Sequence, residues 1–380
     1  MRILNLTVND FGGAGTAAVR INNALKEFGH DSSLHVINSK REDSVVVKLS
    51  WLRAIYRRFD GHIRFVENLL RFFRYQYFFF DRRRRYLNAS EFRNLLDNFD
   101  PEVIVLHWTS GFFSIRELAE WLSNKSIPVY WVVMDMYPLT AGCHFTRGCE
   151  GYLEGCRSCP ATVTNVARKN NQELQELLKY SNLTYVAPSK TLLAECRQLK
   201  VRSLLCHFPS HKIALEKRCP SPSIVVGVGD RDNLRKGGSY IDELICQLEE
   251  RFSNLDILFI ASKDRYEYSK ANRYRFIPYL DEDDYLYFLA QADVFVSLSV
   301  EDAGPMAIND ALLNKTFTIA FDVGVARDFA EYKSVRIINI GDLEGVVDAI
   351  QEFIETSSKD FDVPENLFNL SAFETELTQL

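Results

Sequence analysis

The most constraining feature of this chain is a pattern that runs twice. Short, continuous apolar stretches are each followed by a segment whose apolar residues recur at helical spacing. In the first half, residues 3–6 read as a strand. The turn Phe11-Gly12-Gly13-Ala14-Gly15-Thr16 follows, then a helix carrying Val19, Ile21, Ala24 and Leu25. Further strand-like runs cover 102–107, 129–134 and 184–187. The second half restarts with a strand at 224–228, a polar turn with Arg235, Lys236, Gly237 and Gly238, and a helix at 240–252. Its later strands cover 256–261, 293–298, 317–321 and 335–338. A strand that is apolar without alternation is covered on both faces, as a parallel sheet between helices requires. A chain of 380 residues also exceeds what one core supports. Two doubly wound α/β domains facing a central cleft are expected, at 1–205 and 221–365. Residues 200–223, with Pro209, Pro220 and Pro222, read as the linker, and 366–380 as a helix crossing back to the first domain.

In such sheets ligands bind beyond the carboxyl ends of the strands, so the residues just after each strand matter most. Arg235 and Lys236 follow a strand and precede two glycines and a helix. Glycine admits a ligand close to the backbone, a helix start offers N–H groups to an anion, and the two cations suit a diphosphate. The same residues also read as a solvated basic turn. The second such segment is Ser299-Val300-Glu301-Asp302-Ala303-Gly304-Pro305-Met306-Ala307-Ile308-Asn309-Asp310, after the strand at 293–298. A helix begins near Pro305, where proline fits the first turn. Asp302 in the loop can grip sugar hydroxyls. Asp310, eight residues on, can take the two ribose hydroxyls, and Gly304, Met306 and Ala307 line the helix start that faces the phosphates. A helix cap and a solvated helix charge are the alternatives for the two acids.

Together these segments resemble the donor domain of the retaining GT-B glycosyltransferases of family 4, which consist of two Rossmann-like domains. That family has an Arg/Lys-Lys-Gly element after the first strand of its second domain, matched by Arg235 and Lys236. It also has two acids separated by seven residues, matched by Asp302 and Asp310, with aspartate in place of the usual glutamate at 310. Glu301 directly precedes Asp302, and the segment Phe321-Asp322-Val323-Gly324-Val325-Ala326-Arg327-Asp328 is similar to the family's glycine-containing donor loop.

The resemblance extends to the first half. Gly12, Gly13 and Gly15 are similar to the N-terminal glycine loop beside the donor phosphates and acceptor. His107 and Trp108 are similar to the strand-end His-Trp element, with a core histidine as the other reading. Asp135 stands where related sequences show His-Asp, and Met134 replaces the histidine. The resemblance implies sugar transfer, with retention, from a nucleotide-sugar donor to a glycan or lipid-linked glycan acceptor in surface polysaccharide synthesis. Arg235, Lys236, Asp302, Asp135 and His107 are the residues it places at the chemistry, and it implies no catalytic metal. Two alternatives stay open. One is a nucleotide-sugar epimerase or hydrolase on the same fold. The other is a catalytically degenerate, partner-stabilising homologue, which Met134 and Asp310 would fit.

Cys143, Cys149, Cys156 and Cys159 lie within 17 residues of one loop, half of the eight cysteines in the chain. Four thiolates in a reducing compartment suit a closed structural zinc site. An iron–sulfur cluster takes the same ligands, His144 is a substitute ligand, and thiols without metal or in part disulfide-bonded are the other reading. The remaining cysteines, at 196, 206, 219 and 246, are scattered.

Residues 51–90 hold ten arginines, no lysine, three acids and twelve aromatics, a local balance of +7 in a chain of net charge −6. An Arg-rich helix with an aromatic face can lie on an anionic membrane surface, which suits a polyprenyl-linked acceptor. A pair of core-packing helices with a basic edge has the same composition. The acidic remainder argues against nucleic acid as a partner. No stretch is long and apolar enough to span a membrane and no leader is apparent, so the expected place is the cytoplasm, peripheral on the inner face of the membrane.

Overall fold

The computed structural model describes residues 1–51, 55, 59, 77–82, 84–123, 125–162, 165–213, 223–227, 232–260, 265–356 and 361–379. It divides into two compact units, Met1–Cys206 with Leu370–Leu380, and His207–Asn369.

The N-terminal unit is built on a seven-stranded parallel sheet. Its strands are β1 (Arg2–Asn9), β2 (Asp31–Asn38), β3 (Val45–Val46), β4 (Val103–Leu106), β5 (Val129–Val132), β6 (Leu183–Ala187) and β7 (Ser203–Leu205). Their order in space is β3-β2-β1-β4-β5-β6-β7. Helices α1 (Gly12–Glu27), α2 (Ala89–Phe99), α3 (Ile115–Leu122), α4 (Val166–Leu178) and α5 (Lys190–Gln198) connect them. Strands β4, β5 and β6 are buried at every residue, the condition that their unbroken apolar runs announce.

The C-terminal unit repeats the plan. Its strands are β8 (Ser223–Gly227), β9 (Asp256–Ile260), β10 (Tyr266–Ser269), β11 (Arg273–Ile277), β12 (Val294–Ser297), β13 (Phe317–Phe321) and β14 (Val335–Ile338). They lie in the order β10-β11-β9-β8-β12-β13-β14, parallel except where β10 meets β11. Helices α6 (Ile241–Arg251), α7 (Glu282–Gln291), α8 (Met306–Leu313) and α9 (Leu343–Thr356) cover it. Side chains alternate across a strand, so each apolar run feeds two cores. Val226, Phe259 and Val296 pack into one with α6 and α9. Val225, Leu258 and Phe295 pack into the other with α8.

The last helix, α10 (Ser371–Thr378), belongs to the N-terminal unit. Phe373 is buried against the Tyr130 ring, 4.8 Å between centroids. Glu374 and Glu376 pair with His30 and Arg202.

Several strands escape the apolar-run criterion. β2, with the sequence Asp-Ser-Ser-Leu-His-Val-Ile-Asn, mixes polar and apolar residues. β10 and β11 form an alternating edge hairpin, and β7 falls in the stretch read as linker. Most of the basic aromatic segment lies outside the described residues. Its described end runs against the N-terminal unit instead of standing as a solvated basic edge: Phe80 and Tyr86 are buried, and so is Arg82. Trp51, Ile55 and Phe59 are exposed. Among the described residues no helix is long and apolar enough to cross a membrane.

Candidate functional site

In the C-terminal unit the chain runs outward from β8 through β9 and then returns to place β12 on the other side of β8. The strand order reverses between β8 and β12, and a crevice opens beyond their carboxyl ends at such a switch point. The turn after β8 carries Arg235 and Lys236 in a single 3-10 turn, capped by the Asn233 side chain. The loop after β12 carries Asp302. Lys236 Nζ donates to Asp302 Oδ2, and Arg235 Nη1 lies 3.6 Å from the same oxygen. Arg235 Nη1 also donates to Glu301 O at 3.1 Å, and Val300 N–H returns to Arg235 O at 2.9 Å.

Two glycines permit this closeness. Gly237 has φ +83°, and a Cβ there would stand 2.2 Å from Leu298 O at the end of β12. Gly324, at φ +58°, would place a Cβ 2.6 Å from Asp302 O. The glycine-containing loop after β13 is thereby seated on the acid, with Arg327 and Asp322 paired in it through two hydrogen bonds of 2.6 and 2.8 Å. Burial alone would raise the Asp302 pKa. The charges of Lys236 and Arg235, with hydrogen bonds from Lys236 and the Gly304 N–H, outweigh it and hold the carboxyl below its usual range. Asp302 is therefore an anion that orients two cations.

Helix α8 starts at Met306 with Pro305 at its N-cap, and no side chain caps it. Its first turn, Met306 and Ala307, follows directly on the loop of Asp302 and Gly304. Asp310 is buried and accepts a hydrogen bond from the Ser210 hydroxyl, while the Asn309 amide donates to Phe208 O at 3.0 Å. The carboxylate expected to grip a ribose is thus engaged by the segment that opens its own unit.

The N-terminal sheet has its own order reversal, between β1 and β4. After β1, Gly12 takes φ +71°, and a Cβ on Gly15 would stand 2.7 Å from the Asp10 carbonyl carbon, so α1 rides directly on the strand end. Gly13 meets nothing within 4 Å. Asp10, which sequence reasoning missed, accepts from the Ser39 hydroxyl and the Lys40 and Arg41 N–H groups. After β4, His107 is buried, and its Nε2 hydrogen-bonds Asn5 Oδ1 at 3.0 Å. Burial pushes its pKa down to about 3, so it stands neutral.

After β5, Asp135 is the centre of a network. Its Oδ1 accepts from the Tyr137 N–H at 2.8 Å, and its Oδ2 accepts from Trp108 Nε1 at 3.2 Å. The same Oδ2 lies 2.6 Å from His144 Nδ1, and His144 Nε2 lies 3.1 Å from Ser110 Oγ. The His144 ring stacks on Tyr137 at 4.9 Å. An imidazole thus stands beside Asp135 although Met134 precedes it. It arrives from nine residues downstream, a separation that carries no periodic signal. With both ring nitrogens engaged here, His144 does not serve as the substitute metal ligand that the sequence suggested.

Cys143, Cys149, Cys156 and Cys159 stand as thiols, none in a disulfide. Among the described residues no group of three or more His, Cys, Asp or Glu side chains is drawn together to hold a metal ion.

No protein-family model matches the chain. No curated protein matches it either. Solved structures do. The Anabaena HepE complex with UDP-glucose aligns with TM-score 0.63 at 13% identity, over 100% of this chain and 99% of that one. Sucrose-phosphate synthase from Thermosynechococcus elongatus aligns with TM-score 0.61 at 13% identity, over 99% and 97%. WaaG, a glycosyltransferase involved in lipopolysaccharide biosynthesis, aligns with TM-score 0.56 at 11% identity, over 98% of both chains. The chain has the two-domain, Rossmann-like GT-B fold, and its structural neighbours include glycosyltransferases.

Proposed function

We propose that this protein transfers a sugar from a nucleotide-sugar donor to an acceptor, with retention of anomeric configuration. The observation that carries the reading is the Arg235–Lys236–Asp302 cluster at the switch point of the C-terminal sheet. Breaking the bond between a sugar and a diphosphate puts negative charge on the leaving phosphates. Two fixed cations and the start of α8 meet that charge without reorganising. Asp302, ionised and anchored, is the group for the sugar hydroxyls. Asp135 and the glycine turn at Gly13 and Gly15 are proposed for the acceptor side, and His107 for the support of that strand end. The complex of HepE with UDP-glucose supports a nucleotide-sugar donor.

The acceptor we propose is a glycan or polyprenyl-linked glycan of surface polysaccharide synthesis. It would be met at the cytoplasmic face of the membrane through the basic aromatic segment. Flotation with anionic vesicles at varied salt tests that placement, and no association would refute it.

The assignment itself is tested with Arg235→Ala. Losing one such donor is expected to lower transfer by roughly 100- to 1,000-fold with folding intact. Near-normal turnover would overturn the donor site. Donor consumption without any acceptor would point to an epimerase or hydrolase, and donor binding without turnover to a non-enzymatic homologue.

A further inference from the structure

The N-terminal unit contains a constellation that the donor site does not use. Cys143, Cys149, Cys156 and Cys159, with Tyr77 and Thr140, line one cavity of about 20 Å³, room for a single water-sized occupant. The loop around it is held in shape. Its backbone turns through left-handed residues at Arg147, Gly148, Gly155 and Cys156. Phe79 bridges to Cys143, Phe80 N–H donates to Gly142 O at 2.7 Å, and the Thr140 hydroxyl donates to Cys143 O at 2.7 Å. Gly151 leaves space for the Cys149 sulfur, which would stand 3.4 Å from a Cβ there.

Beside this cavity lies a buried cation with no ion-pair partner among the described residues. Arg82 is only 1% exposed. Its Nη2 donates to the carbonyls of Tyr137 and Thr140, the second at 2.7 Å, and its guanidinium sits 4.1 Å from the centre of the Tyr137 ring. Its Nε and Nη1 have no hydrogen-bond partner among the described residues, and no described carboxylate pairs with it. A buried, unpaired cation costs several kcal/mol, so a fold that keeps one has an anion for it. Thr140, whose carbonyl Arg82 holds, is part of the cavity wall.

We propose that Cys143, Cys149, Cys156 and Cys159 form a closed structural site for one thiophilic divalent cation of the zinc type, with the buried Arg82 guanidinium as its counter-charge. Four thiolates on a divalent ion leave a net charge of −2, which is the anion that Arg82 lacks. Binding is redox-neutral: the ion enters, four S–H protons leave to solvent, and four metal–sulfur bonds form. The sulfurs are now arranged as thiols, with Cys143 and Cys159 hydrogen-bonded to each other. Deprotonation removes that bond, and the four residues already line the one cavity. The site would tie residues 77–82 to the loop that presents His144 to Asp135. It is independent of the donor-site reading.

The test uses the full-length protein, prepared anaerobically with reductant from zinc-supplemented cells. Metal content is measured by mass spectrometry, and zinc is exchanged for Co²⁺. About one zinc per chain is expected, with Co²⁺ giving the intense thiolate charge-transfer and tetrahedral ligand-field bands. Cys159→Ser should release the metal. Arg82→Gln should weaken zinc binding by roughly 10- to 100-fold, and Arg82→Lys by less, because the charge remains. The wild-type measurements stand even if these buried variants fold poorly. Natively folded protein with four reactive thiols and neither zinc nor a cobalt spectrum would overturn the proposal. So would a disulfide between Cys143 and Cys159 in the native protein, or iron with acid-labile sulfide.

Discussion

The proposed donor role of the Arg235–Lys236–Asp302 cluster predicts opposite effects of one substitution on two ligands. Asp302 accepts Lys236 Nζ directly and lies 3.6 Å from Arg235 Nη1, so the three groups carry a net charge of +1. Asp302→Asn keeps shape and volume and raises that charge to +2. A diphosphate resting on the two cations then loses one repulsive neighbour and no longer competes with a carboxylate for Lys236. Two unit charges at about 4 Å interact by about 1 kcal/mol in water and about 4 kcal/mol at the effective dielectric near a protein surface. The site is half-buried, so nucleoside diphosphate affinity should rise between roughly fivefold and a hundredfold. Transfer should fall at the same time, because the amide is a weaker anchor for sugar hydroxyls than an ionised carboxylate. Titration calorimetry with UDP, GDP and ADP at low and high salt gives the first quantity, and a transfer assay the second. The gain should shrink with salt. A folded Asp302→Asn protein that binds every nucleoside diphosphate no better than wild type would sink the argument, since the phosphates would then rest elsewhere.

Gly237→Ala should unfold the C-terminal unit more readily. The left-handed backbone costs about 1–2 kcal/mol for alanine, and a Cβ 2.2 Å from Leu298 O forces the turn outward. Urea unfolding should show the loss, together with weaker nucleotide binding; an unchanged midpoint would refute the close approach. The N-terminal unit should lose stability in acid. Burial pushes His107 down to about 3 and His35 to about 4, so between those values and about 6.5 the unfolded chain binds protons that the folded one does not. Stability is therefore full above about pH 6.5 and falls below it, by about 1.4 kcal/mol per pH unit for each histidine. Urea titrations at neutral and mildly acid pH measure the slope, which His107→Gln should reduce by about half.

How much of this could be read from the sequence follows from what each element must satisfy. β13 is bounded as its apolar run suggests, because it is buried at every residue; β14 is bounded likewise, although it is an edge strand that carries Arg336 and buries only Val335. β2 is not, since Ser32 within it is buried only by bonding Asn5 and Asn22. The segments of Arg235–Lys236 and Asp302 could be singled out because both follow strands. Their adjacency was not legible, because it depends on the strand order that sets β12 beside β8. The inward turn of Arg82 was not legible in the composition of its segment. Composition cannot say which of Arg82–Arg85 points inward, and that depends on the carbonyls of Tyr137 and Thr140 far along the chain.

Met134, at a position where the resembled family carries histidine, shows the same limit from the other side. Read along the chain, it removes an imidazole from the end of β5. In space an imidazole is still there, because the loop that begins after β5 turns back and delivers His144 to Asp135 at 2.6 Å. That delivery depends on the loop's own fold: the Met136 N–H donates to His144 O at 3.1 Å, and Thr140 and Phe80 hold the backbone on either side of Gly142. The side chain of Asp135 is held by Trp108, by the Tyr137 N–H and by His144, so its carboxylate is fixed by three groups, from the end of β4 and from the loop after β5. Met134 is therefore weak grounds for reading the N-terminal unit as degenerate. The cysteine loop stands in place of one residue on the strand, and whatever holds that loop in shape also holds Asp135.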